Sequence, residues 1–180
     1  MEGRVLLEAA RAAIGSALGV PDAGAPPVGV PDWASRDGAT FVTLTIDGRL
    51  RGCIGTLEAW RPLLEDVRAN ARHAAFRDPR FPPLTRPEFD RVHVEVSVLT
   101  EPRPLAFTSE ADLLAQLVPH EDGLVLEASG HRGTFLPQVW EQLPEPAAFL
   151  GQLRRKAGLP ADYWGPDVRV SRYRVTRFDE

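Results

Sequence analysis

Thr40-Phe41-Val42-Thr43-Leu44-Thr45-Ile46, Asp47-Gly48 and Arg49-Leu50-Arg51-Gly52-Cys53-Ile54-Gly55 form the stretch from which the fold is read. Alternating β-formers flank an Asp-Gly pair, the short-range signature of a tight antiparallel hairpin. The second strand holds two glycines within four residues. Glycine weakens a strand interior, so its presence there calls for a bulge or a close backbone approach. Helical patterns lie on either side. Before the hairpin, Val5, Leu6, Ala9, Ala10, Ala13, Ile14 and Ala17 recur at helical spacing over residues 4–18. Gly19 and Pro21 stop that helix. Residues 20–38, with Ala25-Pro26-Pro27, read as a Pro/Gly-rich surface connection.

After the hairpin, residues 61–76 read as a second helix with Pro62 in its first turn. Arg77-Asp78-Pro79-Arg80-Phe81-Pro82-Pro83-Leu84 reads as a stiff extended loop. Residues 91–100 alternate Val92, Val94, Val96 and Val98 with His93, Glu95, Ser97 and Leu99, a strand with one apolar face. A short helix is expected over 109–117, capped by Ser109. A second hairpin is expected over 123–136, turning at Ser129-Gly130. Helices are expected over 137–143 and 146–157, the latter closed by Gly158. A single final strand is expected over 168–178. Helices and antiparallel hairpins interleave without a βαβ repeat. The class is therefore α+β, with an antiparallel or mixed sheet flanked by helices.

The chain has 180 residues, 43% hydrophobic and 26% charged, which suits one domain and excludes disorder or a coiled coil as its main state. No apolar run reaches the roughly 20 residues of a bilayer span, and the start does not read as a signal peptide. One cysteine forms no disulfide framework, and a free thiol points to a reducing cytoplasm. Of the 21 basic residues only Lys156 is a lysine. Net charge runs −3 over residues 1–48, +3 over 49–91, −7 over 92–150 and +3 over 151–180. Two basic segments flank an acidic one and would attract a small anionic ligand if they met. A sequence pI near 5.6 argues against a dedicated nucleic-acid binder. The four tryptophans are scattered and form no stacking series. There is no P-loop, dinucleotide fingerprint or Gly-x-Ser-x-Gly elbow, and no metal-ligand spacing among the histidines and the single cysteine. No cofactor and no metal are expected.

Cys53 and its neighbours carry the most chemistry. In a regular strand Arg51 lies on the same face as Cys53, and a nearby cation favours a reactive thiol beside an anion clamp. The alternative is a small buried hydrophobe, the usual place of a free cysteine. Asp78 and Arg80 are presented on a rigid loop, or form a structural corner with Phe81 plugging the core. Glu95 and Ser97 line a cleft, or simply face solvent.

Three blocks, Leu50-Arg51-Gly52-Cys53-Ile54-Gly55-Thr56, residues 77–84 and Val94-Glu95-Val96-Ser97-Val98-Leu99-Thr100, resemble the signature blocks of the AMMECR domain. In prokaryotes this family is called AmmeMemoRadiSam system protein A. Glu121-Asp122-Gly123-Leu124, Arg132 to Val139 and Arg155-Lys156-Ala157-Gly158-Leu159 fit as well, so the resemblance covers nearly the whole chain. It implies one domain over residues 1–180, made of a larger α+β part and a small subdomain with a cleft between them. It also implies partners: a radical S-adenosylmethionine (SAM) enzyme and a Memo-like protein related to metal-dependent dioxygenases. Residue by residue, it marks Arg51, Gly52, Cys53 and Gly55, then Asp78, Arg80 and Phe81, then Gln138 and Lys156. Many relatives carry a second cysteine where this chain has Arg154, so a two-thiol mechanism is weakened.

Three functions follow as expectations. The first is a substrate-binding or bridging subunit beside those partners, with Gly52, Gly55, Asp78, Arg80, Glu95 and Gln138 shaping the ligand surface. The second is an enzyme with Cys53 as nucleophile or redox thiol, Arg51 as anion clamp and Lys156 as a second cation or amine. The third is a nucleic-acid or nucleotide modification factor that uses the basic segments. Cys53 and Lys156 are expected to share one cleft.

Overall fold

The computed structural model describes residues 2–21 and 30–180. Ala25-Pro26-Pro27 lies outside them. In chain order the elements are α1 (Glu2–Ala17), β1 (Ala39–Ile46), β2 (Arg49–Gly55), α2 (Leu63–Phe76), α3 (Arg86–Phe89), β3 (Val92–Leu99), β4 (Arg103–Pro104), α4 (Glu110–Gln116), β5 (Gly123–Ala128), β6 (His131–Phe135), α5 (Pro146–Ala157), β7 (Arg169–Tyr173) and β8 (Val175–Asp179), with short 3-10 turns at Asp32–Ser35 and Pro137–Glu141. The class is α+β. The chain divides into two compact units, one of residues up to 99 with 176–180 and one of residues 100–175.

The first unit is built on a four-stranded sheet in the order β2-β1-β3-β8. β1 is antiparallel to both β2 and β3. The β1–β2 turn has Asp47 at φ 51° and Gly48 at φ 74°. Two successive positive φ values match the strand twist, which is why Asp-Gly fits here. Val42, Leu44, Val92, Val94 and Val96 point to one side and pack on Leu6 and Ile14 of α1 and on Leu64, Val67 and Ala71 of α2. These side chains are 0–3% exposed, so each valine, leucine and isoleucine among them contributes about 1.5–3 kcal/mol by burial.

The second unit has a four-stranded sheet in the order β4-β7-β5-β6, antiparallel at every pairing. α5 covers it through Phe149, Leu150 and Leu153, which join Leu124, Leu126 and Trp140 in one core. The Trp140 and Phe149 rings stack at 3.7 Å, 9° from parallel. The indole N–H of Trp140 donates to the Asp122 carbonyl at 2.7 Å, so the ring is buried without an orphaned donor.

Four features depart from the sequence reading. Pro62 precedes α2 as its N-cap instead of sitting in its first turn. The segment after Pro137 is a 3-10 turn, not an α-helix. The short α3 was not foreseen, although Thr85 and Glu88 close a complete capping box around it. The expected final strand divides at Arg174 into β7 of one sheet and β8 of the other. Arg174 pairs with Thr100 instead: its N–H donates to the Thr100 hydroxyl and its carbonyl accepts from the Thr100 N–H, each at 2.8 Å. Alternation persists across that point, so period alone cannot reveal the change of sheet.

Candidate functional site

The face of the first sheet opposite α1 and α2 carries the hairpin residues that looked chemical. Register places Thr43 between Cys53 on β2 and Glu95 on β3. The next row on the same face is Gly55, Phe41 and Ser97. The Thr43 hydroxyl donates to Cys53 Sγ at 3.3 Å, and the Ser97 hydroxyl donates to Glu95 Oε1 at 3.4 Å. Cys53, Thr43, Glu95 and Phe41 are all half-buried. Thiol, hydroxyl and carboxylate therefore form one polar row across three strands. Thr43 was absent from the sequence candidates because only pairing register brings it between the other two.

The glycines of β2 serve packing. A Cβ on Gly52 would stand 2.1 Å from the Ala74 carbonyl oxygen of α2, so only glycine lets the strand sit this close to the helix. A Cβ on Gly55 would meet the Phe41 ring at 2.2 Å. The β1–β2 register slips beside Gly52: Leu44 faces Gly52 while Thr45 faces Leu50, leaving Arg51 opposite no residue.

Arg51 is consequently not a free clamp. Its Nε and Nη2 donate to the Glu88 carboxylate at 2.9 and 3.2 Å, and its side chain is only 12% exposed. Glu88 also accepts from the Thr85 N–H and hydroxyl. Arg51, followed by the two Thr85 donors, holds the Glu88 carboxyl at a pKa of about 2, well below its ordinary 4.5.

Asp78 and Arg80 act on the backbone of Cys53. β2 is an edge strand, so the Cys53 N–H and C=O on its outer side have no strand partner. The N–H donates to Asp78 Oδ2 at 2.9 Å, and the C=O accepts from Arg80 Nη2 at 3.2 Å. Arg80 grips Asp78 through Nε and Nη2 at 2.9 and 2.7 Å. Asp78 is 1% exposed at its side chain. The Arg80 guanidinium, then the Cys53 and Arg80 N–H groups, keep its carboxyl far below the usual carboxylate range against the opposing effect of burial. The guanidiniums of Arg51 and Arg80 both lie over the Phe81 ring, 6.0 and 5.5 Å from its centroid. The two motif blocks are thus one mechanical assembly that fixes residue 53.

A buried polar network lies on the α2 side. Asp66 Oδ2 accepts from the Thr40 N–H and hydroxyl at 2.9 and 2.6 Å and from the Asn70 amide at 2.9 Å. Its Oδ1 accepts from Arg61 Nε and the Thr56 hydroxyl at 2.7 and 2.8 Å. The network ties β1 and the segment after β2 to the helix. The sequence held the signal: Asp66 and Asn70 stand four apart, among the apolar positions of an amphipathic helix.

In the second unit, Lys156 is exposed in the last turn of α5. Its amine donates to the Thr134 carbonyl of the edge strand β6 at 2.8 Å and lies 5.0 Å from the Phe135 ring centroid. Gln138 is exposed in the 3-10 turn. Arg154 is 3% exposed, pairs with Glu110 at 2.6 Å and lies 5.5 Å from the Trp164 ring centroid. Tyr173 is buried beneath Thr134, and burial pushes its phenol up to about 12. Among the described residues no three His, Cys, Asp or Glu side chains converge to hold a metal, and no helix is long and apolar enough to cross a membrane.

The AMMECR1 family model matches residues 7–178. The chain belongs to the AMMECR1 family. An AMMECR1 relative from Methanothermobacter thermautotrophicus is 41% identical, with the alignment covering 99% of this chain and 94% of that protein. A relative from Methanocaldococcus jannaschii is 37% identical over 83% of this chain and 77% of its own. The crystal structure of an uncharacterized Pyrococcus horikoshii protein superposes with a TM-score of 0.83 at 34% identity, covering 99% of this chain and 91% of that one. The fold described above is therefore that of a solved homologue.

Proposed function

We propose that this AMMECR1 protein is a binding subunit that presents the outer face of its first sheet, around Cys53, Thr43 and Glu95, to a substrate or to a partner. The observation that carries this reading is the internal use of the motif charges. Arg51 is paired with Glu88, and Asp78 and Arg80, paired with each other, hold the Cys53 N–H and C=O while Cys53 itself stays half-buried. Rigid presentation of a polar row suits recognition, because little order is lost on binding. The family resemblance supplies the partners: a radical SAM enzyme and a Memo-like protein, for which this subunit would bind substrate or form the bridge. A single thiol fits a reducing compartment, and the cytoplasm is its proposed location.

Pairwise binding of the three purified proteins tests this reading. Association at micromolar concentration, weakened by Thr43→Arg or Glu95→Arg, is expected. No pairwise association at that concentration refutes the bridging role.

A second reading, an enzyme using Cys53 as nucleophile or redox thiol, is favoured by the Thr43 hydroxyl donated to its sulfur. Activity of the reconstituted system that is unchanged by Cys53→Ala and Cys53→Ser would dispose of it.

A further inference from the structure

The two edges of the first sheet differ. β2 is guarded, because Asp78 and Arg80 take up the outward N–H and C=O of Cys53. Among the described residues β8 is hydrogen-bonded to β3 on one side and to no strand on the other, and no backbone group elsewhere bonds to it. Thr176, Arg177 and Asp179 are exposed along it. An open edge of this kind is a template for another strand.

Alternation decides where the side chains of β8 stand. Phe178 packs against the first core, and a Cβ on Gly3 of α1 would lie 2.4 Å from its ring, so Phe178 points to the helix side. Arg177 and Asp179 therefore point to the outer face. Neither side chain has an ion pair or a hydrogen bond among the described residues. On the helix side the edge borders a groove of about 490 Å³ between α1 and residues 177–180, with Leu7 and Phe178 on its walls.

The charges of β8 select what can pair with it. When two identical strands pair antiparallel about a two-fold axis, residue i faces residue j and j faces i. With the axis at Arg177 or at Asp179, like charges would face each other across it, which is destabilising. With the axis at Phe178, Arg177 faces the partner's Asp179, and Asp179 faces the partner's Arg177.

We propose that β8 pairs with β8 of a second copy of this chain, antiparallel about a two-fold axis at Phe178. The outer face then carries two Arg177–Asp179 pairs. On the helix side the two Phe178 side chains meet across the strands, the partner's Phe178 entering the groove beside Leu7. Opposite charges and aromatic rings are among the cross-strand pairs that stabilise neighbouring strands. A strand of another protein could take the same edge, but this chain's own sequence already supplies the complement. The contact is one short strand and one groove, so association rises with concentration, as for other small interfaces. In the pair the sheet runs on from four strands of one copy into four of the other, with both outer faces on one side. The two β2 strands then lie seven strand spacings, roughly 34 Å, apart. β8 is the edge far from Cys53, and this pairing does not depend on the reading proposed for that face.

Sedimentation velocity of the full chain over a concentration series tests the pairing, with the variants Arg177→Glu and Asp179→Arg. Both positions are exposed, and thermal melts confirm the fold. The parent should dimerise as concentration rises. Each variant alone sets like charges opposite one another at both pairs, and its self-association should weaken by at least about fivefold. An equimolar mixture of the two variants restores opposite charges at both pairs and should dimerise like the parent. A parent that stays monomeric through high micromolar concentration, single variants that associate as well as the parent, or a mixture no better than either variant alone overturns the proposal.

Discussion

Replacing Gly52 by alanine should destabilise the first unit more than any other single methyl added to β2. The new Cβ would stand 2.1 Å from the Ala74 carbonyl oxygen, where real Cβ atoms stay beyond 3.0 Å, so strand and helix must separate by 0.9 Å. The obstacle is backbone, and the helix cannot retreat freely because Ala71, Ala74 and Ala75 are 0–2% exposed against the core. Overpacking of this kind costs about 1–3 kcal/mol. Removing glycine's excess backbone freedom returns roughly 0.5–1 kcal/mol. The net expectation is a loss of about 1–2 kcal/mol, or a Tm lower by roughly 2–8 °C for a chain of this size. Urea unfolding should show a lower midpoint with an unchanged slope. Gly55→Ala is the internal control, since its Cβ meets the Phe41 side chain, which can turn away. A Gly52→Ala protein as stable as the parent, or one more stable than Gly55→Ala, would refute the close-approach argument.

Glu88 has a depressed folded-state pKa, about 2 against 4.5, so its contribution is present above pH 4.5 and is lost as pH falls toward 2. Glu88→Gln should flatten that acid limb in a plot of Tm against pH, and an unchanged limb would count against the Arg51 pair. Tyr173 shows the opposite sign: its pKa is raised from 10.0 to about 12, so stability is held below pH 10 and lost as pH rises through 12. Tyr173→Phe should remove this alkaline loss, and phenolate absorbance should show one of the two tyrosines ionising near 12. Lys156→Met removes an exposed hydrogen bond and a cation–ring contact, so stability should fall by less than about 1 kcal/mol. Weakened partner or ligand binding at near-parental stability would assign Lys156 a functional role, and unchanged binding would remove it.

The hairpin, α2 and β3 were legible because their periodicity and turn residues are local. So were the β2 glycines, for which the sequence demanded either a bulge or a close approach; the structure has a register slip and a close approach at Gly52. The Arg51–Glu88 pair was not legible, since its partners are 37 positions apart and meet only through the loop that ends in α3. Asp78 and Arg80 were marked as a constellation, yet their target, the Cys53 backbone, follows from β2 being an edge strand. That position depends on sheet order, which no single strand encodes. Thr43 escaped notice for the same reason. Asp66 and Asn70 are legible as polar residues on the buried side of an amphipathic helix, but their partners Thr40 and Thr56 are set by the fold.

The break at Arg174 has a consequence for synthesis. β8 is made only after residues 100–174 have been translated, although it belongs to the sheet that begins at residue 39. The second unit, continuous in the chain, can close on itself as it emerges. The first must hold β3 without its outer neighbour until the last strand arrives. Chains interrupted before residue 175 would therefore carry an open edge at β3, a species suited to chaperone capture or to mispairing with another copy.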